Sequence, residues 1–182
     1  AALRGVPVVW RTIAETGADV RELRDLVSDS ATNGGAGGSA VAGSHGRGFD
    51  IAVVFCGVND GKKLLQGRFP SAFRQDLAAL LQELRNQAPE GHISVPCIPG
   101  YLSAPQLQLF PMRHLVRLFF GQYEAQKELL AVNDGAFGCP TPPLERLPGP
   151  ADLALWASDG IHPSTEGYKV VGEWLGSELA ET

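Results

Sequence analysis

The sequence predicts an α/β fold in which a mostly parallel sheet is covered by helices. Short apolar runs alternate along the chain with segments of helical spacing, the pattern of successive strand–helix units. The clearest of the apolar runs, in DIAVVFCG (50–57), is unbroken from Ile51 and ends in glycine, as expected of a strand buried on both faces. The chain has 182 residues, 44% of them hydrophobic, enough for one domain with a substantial core, so a single domain over 1–182 is expected.

Each element has its own signal. VPVVW (6–10) reads as a strand, and DVRELRDLV (19–27) follows with Val20, Leu23, Leu26 and Val27 at helical spacing. Residues 33–48, NGGAGGSAVAGSHGRG, form a flexible low-complexity insertion. They are not a phosphate-cradling loop, because no strand precedes them and no Lys-Ser/Thr follows. In 71–89, Phe73, Leu77, Leu80, Leu81 and Leu84 make one apolar stripe, with Ser71 placed to cap the helix. HISVPCIPG (92–100) reads as a short or edge strand, since Pro96 and Pro99 cannot donate to a ladder. Residues 105–132 are helical, with breaks expected near Pro111 and Gly121. GAFGCPT (135–141) offers a last short strand, and 164–180 closes the chain as a helix carrying Tyr168, Val171, Leu175 and Leu179 on one face.

Composition narrows the function. A formal charge of -5, with no basic cluster beyond Lys62-Lys63, argues against nucleic acid or an anionic membrane as partner. No apolar run is long enough to span a bilayer. The first residues have neither a basic n-region nor an apolar h-region, so no signal peptide is read; the chain reads as soluble, with its compartment open. An initiator methionine is lacking, which suggests a start inside a longer gene product. Cys56, Cys97 and Cys139 sit in or beside apolar stretches without C-x-x-C spacing, and are expected to be buried thiols.

Chemistry-bearing residues fall where an open α/β sheet keeps its ligands, at the carboxyl ends of strands. Gly17 follows the first strand, Asn59 the second, and Asp159 and His162 the last strand-like element. Asp159 and His162 are three positions apart, so a carboxylate can face an imidazole across a turn. Pro163 keeps His162 out of helical geometry and is expected to start the final helix. The ordinary readings stand beside these: Asp159 caps a turn, His162 sits on the surface, Asn59 stabilises a turn before Asp60, and Gly17 ends a strand.

GVND (57–60) followed by DGIHPSTEGY (159–168) resembles two signature blocks of the SGNH (GDSL-type) hydrolases. VVWRTIAETGADVRELRDLV resembles that family's second block, and FRQDLAALLQELRNQAP and the final helix also have counterparts, so the likeness covers most of the chain. The resemblance implies a flavodoxin-like three-layer sandwich and ester hydrolysis by a serine–histidine–aspartate mechanism. Asp159 and His162 would be the catalytic acid–base pair, and the Gly17 N–H and the Asn59 side-chain amide the oxyanion-hole donors. The substrate would be a small-molecule or lipid acyl ester, and no metal or organic cofactor is implied.

One block is missing. The family's Gly-Asp-Ser strand belongs upstream of Gly17, where the sixteen residues present contain no serine. SDSATNGG (28–35) has a similar rhythm, but Ser30 follows a helix and should emerge at the opposite edge of the sheet; Ser103 and Ser158 lack an elbow-like context. The expected nucleophile is therefore outside this chain, on a missing N-terminal segment or a partner strand, because deleting a central strand leaves two edges to pair. The segment LQLFPMRHLVRLFF reads as core packing in preference to an acyl pocket. Rival readings are a non-catalytic relative that binds without a nucleophile, and an α/β binding protein with coincidental motifs.

Overall fold

The apolar stripe of 73–84 is buried as its spacing predicts. In the computed structural model, which describes residues 2–3, 6–32, 48–97, 104–134, 137–142 and 151–181, Phe73, Leu77, Leu80, Leu81 and Leu84 all face the core from one helix. The elements in chain order are β1 (Ala2–Leu3), β2 (Val6–Pro7), α1 (Val20–Thr32), β3 (Ile51–Val53), α2 (Val58–Lys62), α3 (Pro70–Gln87), β4 (His92–Ser94), α4 (Met112–Asp134) and α5 (Thr165–Glu181). Helices with a short parallel sheet make this an α/β protein. The chain divides into two compact units, one of Arg11–Val95 with Gln122–Cys139, the other of Ala1–Trp10, Pro96–Gly121 and Pro140–Thr182.

In the first unit β3 and β4 run parallel, Ile51 opposite His92 and Val53 opposite Ser94. A parallel bridge joins Ser94 to Gly138, where Gly138 N donates to Ile93 O at 2.9 Å and Val95 N to Gly138 O at 2.8 Å, so the described part of 135–141 pairs with β4 over a short stretch. The roles of the two strands are the reverse of those expected. Ile93, Ser94 and Val95 are buried on both faces, because β4 has neighbours on both sides and is not an edge. Along β3 and its extension only Val54 and Cys56 are buried, while Ile51 and Phe55 are exposed. Among the described residues β3 pairs with β4 alone. Helices α1 and α3 pack together over this core, and the Phe73 and Tyr123 rings meet edge to face at 5.4 Å.

Local signals need four corrections. The α3 helix starts at Pro70 with Phe69 at the N-cap and no side-chain cap, so Ser71 does not cap it; proline suits the first helical turn because its missing N–H is unpaired there anyway. Helix α1 runs on to Thr32, which puts Ser28 and Ser30 inside it. Gly121 does not break α4, although a separate 3-10 turn, Pro105–Gln108, does precede Pro111. VPVVW is a strand only over Val6–Pro7, antiparallel to Ala2–Leu3, and Val9 and Trp10 beyond it are exposed. Pro7 can donate nothing to a longer ladder.

In the second unit α5 buries Gly167, Trp174 and Leu175, whereas Tyr168 is exposed, against the expected face. The core reading of 107–120 fails for most of its apolar residues: Leu109, Phe110, Met112, Leu115, Leu118 and Phe119 are exposed and Val116 is buried. Cys56 and Cys97 are buried thiols as expected, and Cys139 is half-buried. The Gly-rich insertion lies outside the described residues except for its last position, and so does Ser103. Among the described residues no helix is long and apolar enough to cross a membrane.

Leu77→Ala should lower unfolding stability by about 2–5 kcal/mol, since it empties a fully buried site. Leu65→Ala, at a side chain 99% exposed, should change it by less than about 0.5 kcal/mol. Denaturant titration of the two variants checks the contrast.

Candidate active site

The loop before α5 is built by short-range bonds. Gly160 N donates to Ala157 O at 2.9 Å and Ala157 N to His162 O at 2.8 Å, closing a tight turn. Trp156 and Pro163 form an antiparallel bridge at its base. Pro163 does not start α5, which begins at Thr165 with Ser164 as its cap: the Ser164 hydroxyl accepts from Gly167 N at 3.2 Å and donates to Ala154 O at 2.7 Å. Gly167 sits so close to the turn at 153–155 that a Cβ there would lie 2.2 Å from Leu155 O. Only glycine lets the helix start this near the loop.

Within the loop Asp159 does two things with two oxygens. Oδ1 accepts from the backbone N–H of Ile161 at 2.9 Å and of His162 at 3.0 Å, which is the turn-capping role. Oδ2 lies 2.6 Å from His162 Nδ1. The hydrogen bond to the His162 ring, reinforced by the two backbone donors, holds the Asp159 carboxyl well below the usual carboxylate range. A carboxylate that stays ionised favours the tautomer with the proton on Nδ1, leaving Nε2 as the basic nitrogen. Both side chains are exposed, and Nε2 makes no hydrogen bond among the described residues.

Gly17 and Asn59 come together in the other unit. Gly17 occupies a turn with φ 80°, a backbone conformation that glycine adopts without the Cβ penalty. A Cβ there would meet nothing within 4 Å, so the backbone angle and not crowding calls for glycine. Asn59 Nδ2 donates to Ala18 O at 2.9 Å, which ties the amide to the residue following Gly17. One Nδ2 hydrogen is thereby fixed and the second remains available, as does the Gly17 N–H. The structure thus brings the four candidates together as two pairs, Gly17 with Asn59 and Asp159 with His162, one in each unit.

Beneath Gly17 and Asn59 lies a charge network that sequence reading missed. Asp60 is fully buried; its carboxylate accepts from Val20 N, at the start of α1, at 3.1 Å, and from Arg68 Nη2 at 2.7 Å. Arg68 Nη1 also donates to Asp76 Oδ2 on α3 at 2.6 Å, and its backbone carbonyl accepts the Tyr123 hydroxyl. Asp19 caps α1, accepting from Arg21 N and Glu22 N at 3.1 Å, while Glu22 accepts from Asp19 N at 2.8 Å. Lys63 Nζ bridges Asp19 at 3.1 Å and Glu22 at 2.5 Å. Burial pushes the Asp60 carboxyl up despite Arg68. At Asp19 burial acts the same way, but the Glu22 N–H, Lys63 and Arg68 outweigh it and bring the carboxyl below its usual value. The available signal was Asp60 itself, a charge directly after an apolar strand; nothing in the sequence marks Arg68.

The described serines are otherwise engaged or isolated. Ser30 Oγ donates to Val27 O at 2.8 Å inside α1, and Ser177 Oγ to Trp174 O at 2.6 Å. The Ser158 hydroxyl makes no hydrogen bond among the described residues. Among the described residues no group of three or more His, Cys, Asp or Glu side chains is placed to hold a metal ion.

The GDSL-like Lipase/Acylhydrolase family model matches residues 2–170. The chain belongs to this family, whose chemistry is acyl-ester hydrolysis, and coincidental motifs are excluded. No curated protein and no solved structure matches it.

Arg68→Gln should destabilise the protein by about 3–5 kcal/mol, because it leaves Asp60 buried without its cation; chemical denaturation checks this. The lowered Asp19 value also sets a pH response. Its contribution is complete above the unfolded value of about 3.9 and is lost as pH falls through the lower folded value. Asn still caps a helix, so Asp19→Asn should flatten the acid limb of a stability–pH profile without unfolding α1.

Proposed function

We propose that the chain hydrolyses acyl esters of small molecules or lipids by a serine–histidine–aspartate mechanism. Asp159 orients His162, and the Gly17 N–H and Asn59 Nδ2 donate to the oxyanion. The observation that carries this reading is the 2.6 Å contact between Asp159 Oδ2 and His162 Nδ1, which leaves Nε2 unpartnered and exposed. Family membership supports ester hydrolysis in general. The flavodoxin-like three-layer arrangement belongs to the same reading, supported by the parallel β3–β4 pairing with helices.

In the first step Nε2 takes the proton of a serine hydroxyl as its oxygen bonds to the acyl carbon. The carbonyl π pair moves onto oxygen, where two N–H donors meet the developing charge. Collapse breaks the ester C–O bond, and the leaving alkoxide takes the proton back from Nε2. Water then repeats the sequence on the acyl-enzyme, releasing the acid and restoring the hydroxyl. Asp159 stays ionised throughout and stabilises the imidazolium, in keeping with the low range of its carboxyl.

The nucleophile that this mechanism needs is not identified among the described residues, none of whose serines donates to the His162 ring. A second reading, a binding domain without a nucleophile, is favoured by one fact: within the unit that holds His162, no described serine donates to its ring. Fluorophosphonate labelling followed by intact mass, beside an ester-hydrolysis assay, separates the two. Hydrolysis with a mapped serine adduct supports the enzyme. His162→Ala should then lower the rate roughly 10²–10⁴-fold and Asn59→Ala roughly 10²–10³-fold. A folded chain that neither labels nor hydrolyses overturns the catalytic reading.

A further inference from the structure

Within the unit that holds His162, the segment from Ala104 to Gly121 departs from the rest of the chain in two respects. Its large apolar side chains lie on the outside: Phe110 is 80% exposed, Leu109 66% and Leu118 60%, with Met112, Leu115 and Phe119 also exposed. On α4, positions 112, 115, 118 and 119 share one helical face. The charge of the segment is the reverse of the chain's. No aspartate or glutamate occurs between Glu90 and Glu124, in a protein of net charge -5. The polar positions of this first part of α4 are instead Arg113, His114 and Arg117, all exposed.

We infer that residues 109–119 form a docking surface for an anionic lipid–water interface. A helical segment with a broad face of leucine, phenylalanine and methionine, whose charged positions are all cationic as in 112–121, is suited to lie in the plane of such an interface. The apolar side chains sink to the acyl boundary and the guanidinium groups meet headgroup phosphates. A second copy of the chain is a poorer occupant. A self-contact would cover the apolar face but leave Arg113 and Arg117, on the other side of the helix, without the anionic partners that this acid-free segment does not supply. The chain's charge of -5, which over the whole sequence argues against an anionic membrane, is outweighed at this face, because the segment carries only cations and screening limits the reach of distant acids to about a Debye length, ~8 Å at physiological salt.

The surface is joined to the histidine loop. Gln106 N donates to Gly160 O at 3.2 Å, and Gly160 stands between Asp159 and His162. Its α-carbon faces the Gln106 side chain so closely that a Cβ would lie 2.8 Å from Gln106 Cγ. Docking needs no hydrolase activity. If the hydrolase reading holds, and resting on it, an interface-bound chain would draw its ester substrate from the lipid phase.

The test is flotation of the full chain with phosphatidylcholine vesicles, with and without phosphatidylglycerol. The chain should float with the phosphatidylglycerol vesicles at low salt and be released as salt rises. Phe110→Ser combined with Leu118→Ser should weaken partitioning roughly tenfold or more, and Arg113→Gln combined with Arg117→Gln by a similar factor on the anionic vesicles alone. All four side chains are exposed, and circular dichroism checks that the variants fold. Failure to float, flotation indifferent to phosphatidylglycerol, or unchanged binding by both double variants overturns the proposal. So does light scattering that finds a dimer dissociated by Leu118→Ser without any flotation, which would assign the face to self-association.

Discussion

Three acidic side chains from three segments meet at the Arg68 guanidinium: Asp19 ahead of α1, Asp60 on α2 and Asp76 on α3. The arginine is nearly buried and two of the three carboxylates are fully so, and such a cluster persists only because each charge finds an opposite one. Its consequence is positional. Asp60 receives the N–H of Val20 and so holds the start of α1 against α2, while its neighbour Asn59 reaches Ala18. The two candidate oxyanion donors come from segments about forty residues apart, and this buried ion network is what keeps their turns in register. Burial pushes the Asp60 carboxyl up, a cost that the Arg68 guanidinium limits.

The histidine loop rests on a different principle. Nearly every bond that shapes it spans ten residues or fewer, and a single carboxylate serves both the turn and the imidazole. The ordinary and catalytic interpretations of Asp159 are therefore not alternatives. One oxygen caps the turn and, by doing so, aims the other at the imidazole. Preorganisation of this kind suits a general base, because no rearrangement is needed when the proton moves. It also explains why the loop tolerates exposure: its geometry is set by local hydrogen bonds and by the close approach of Gly167 to Leu155, not by burial.

Burial elsewhere is unevenly shared. The 73–84 stripe and β4 are packed, whereas Ile51 on β3, Phe55 just beyond it and the first half of α4 show large apolar side chains to solvent. On α4 those side chains stand among arginines in an acid-free stretch, and the combination gives the exposure a chemical sense. On β3 the exposed residues lie on a strand that has one described neighbour, and a half-covered strand leaves one set of alternating side chains open.

Residue order alone determined the elements whose cause is local. The leucine stripe of α3 follows from its spacing, and the Asp159–His162 contact from an i, i+3 turn ahead of a proline. Gly17 and Asn59 were legible as candidates because their motifs lie after apolar runs, and the family followed from those motifs. The tertiary structure decided what depends on neighbours far away in the chain. It chose β4 over β3 as the strand buried on both faces, although the DIAVVFCG run is the more apolar, because β4 gained a neighbour at Gly138. It recruited Arg68, a residue without a local signature, to pair with three acids, and it turned the face of α4 outward. Periodicity tells which side chains share a face; only the completed packing determines whether anything covers that face.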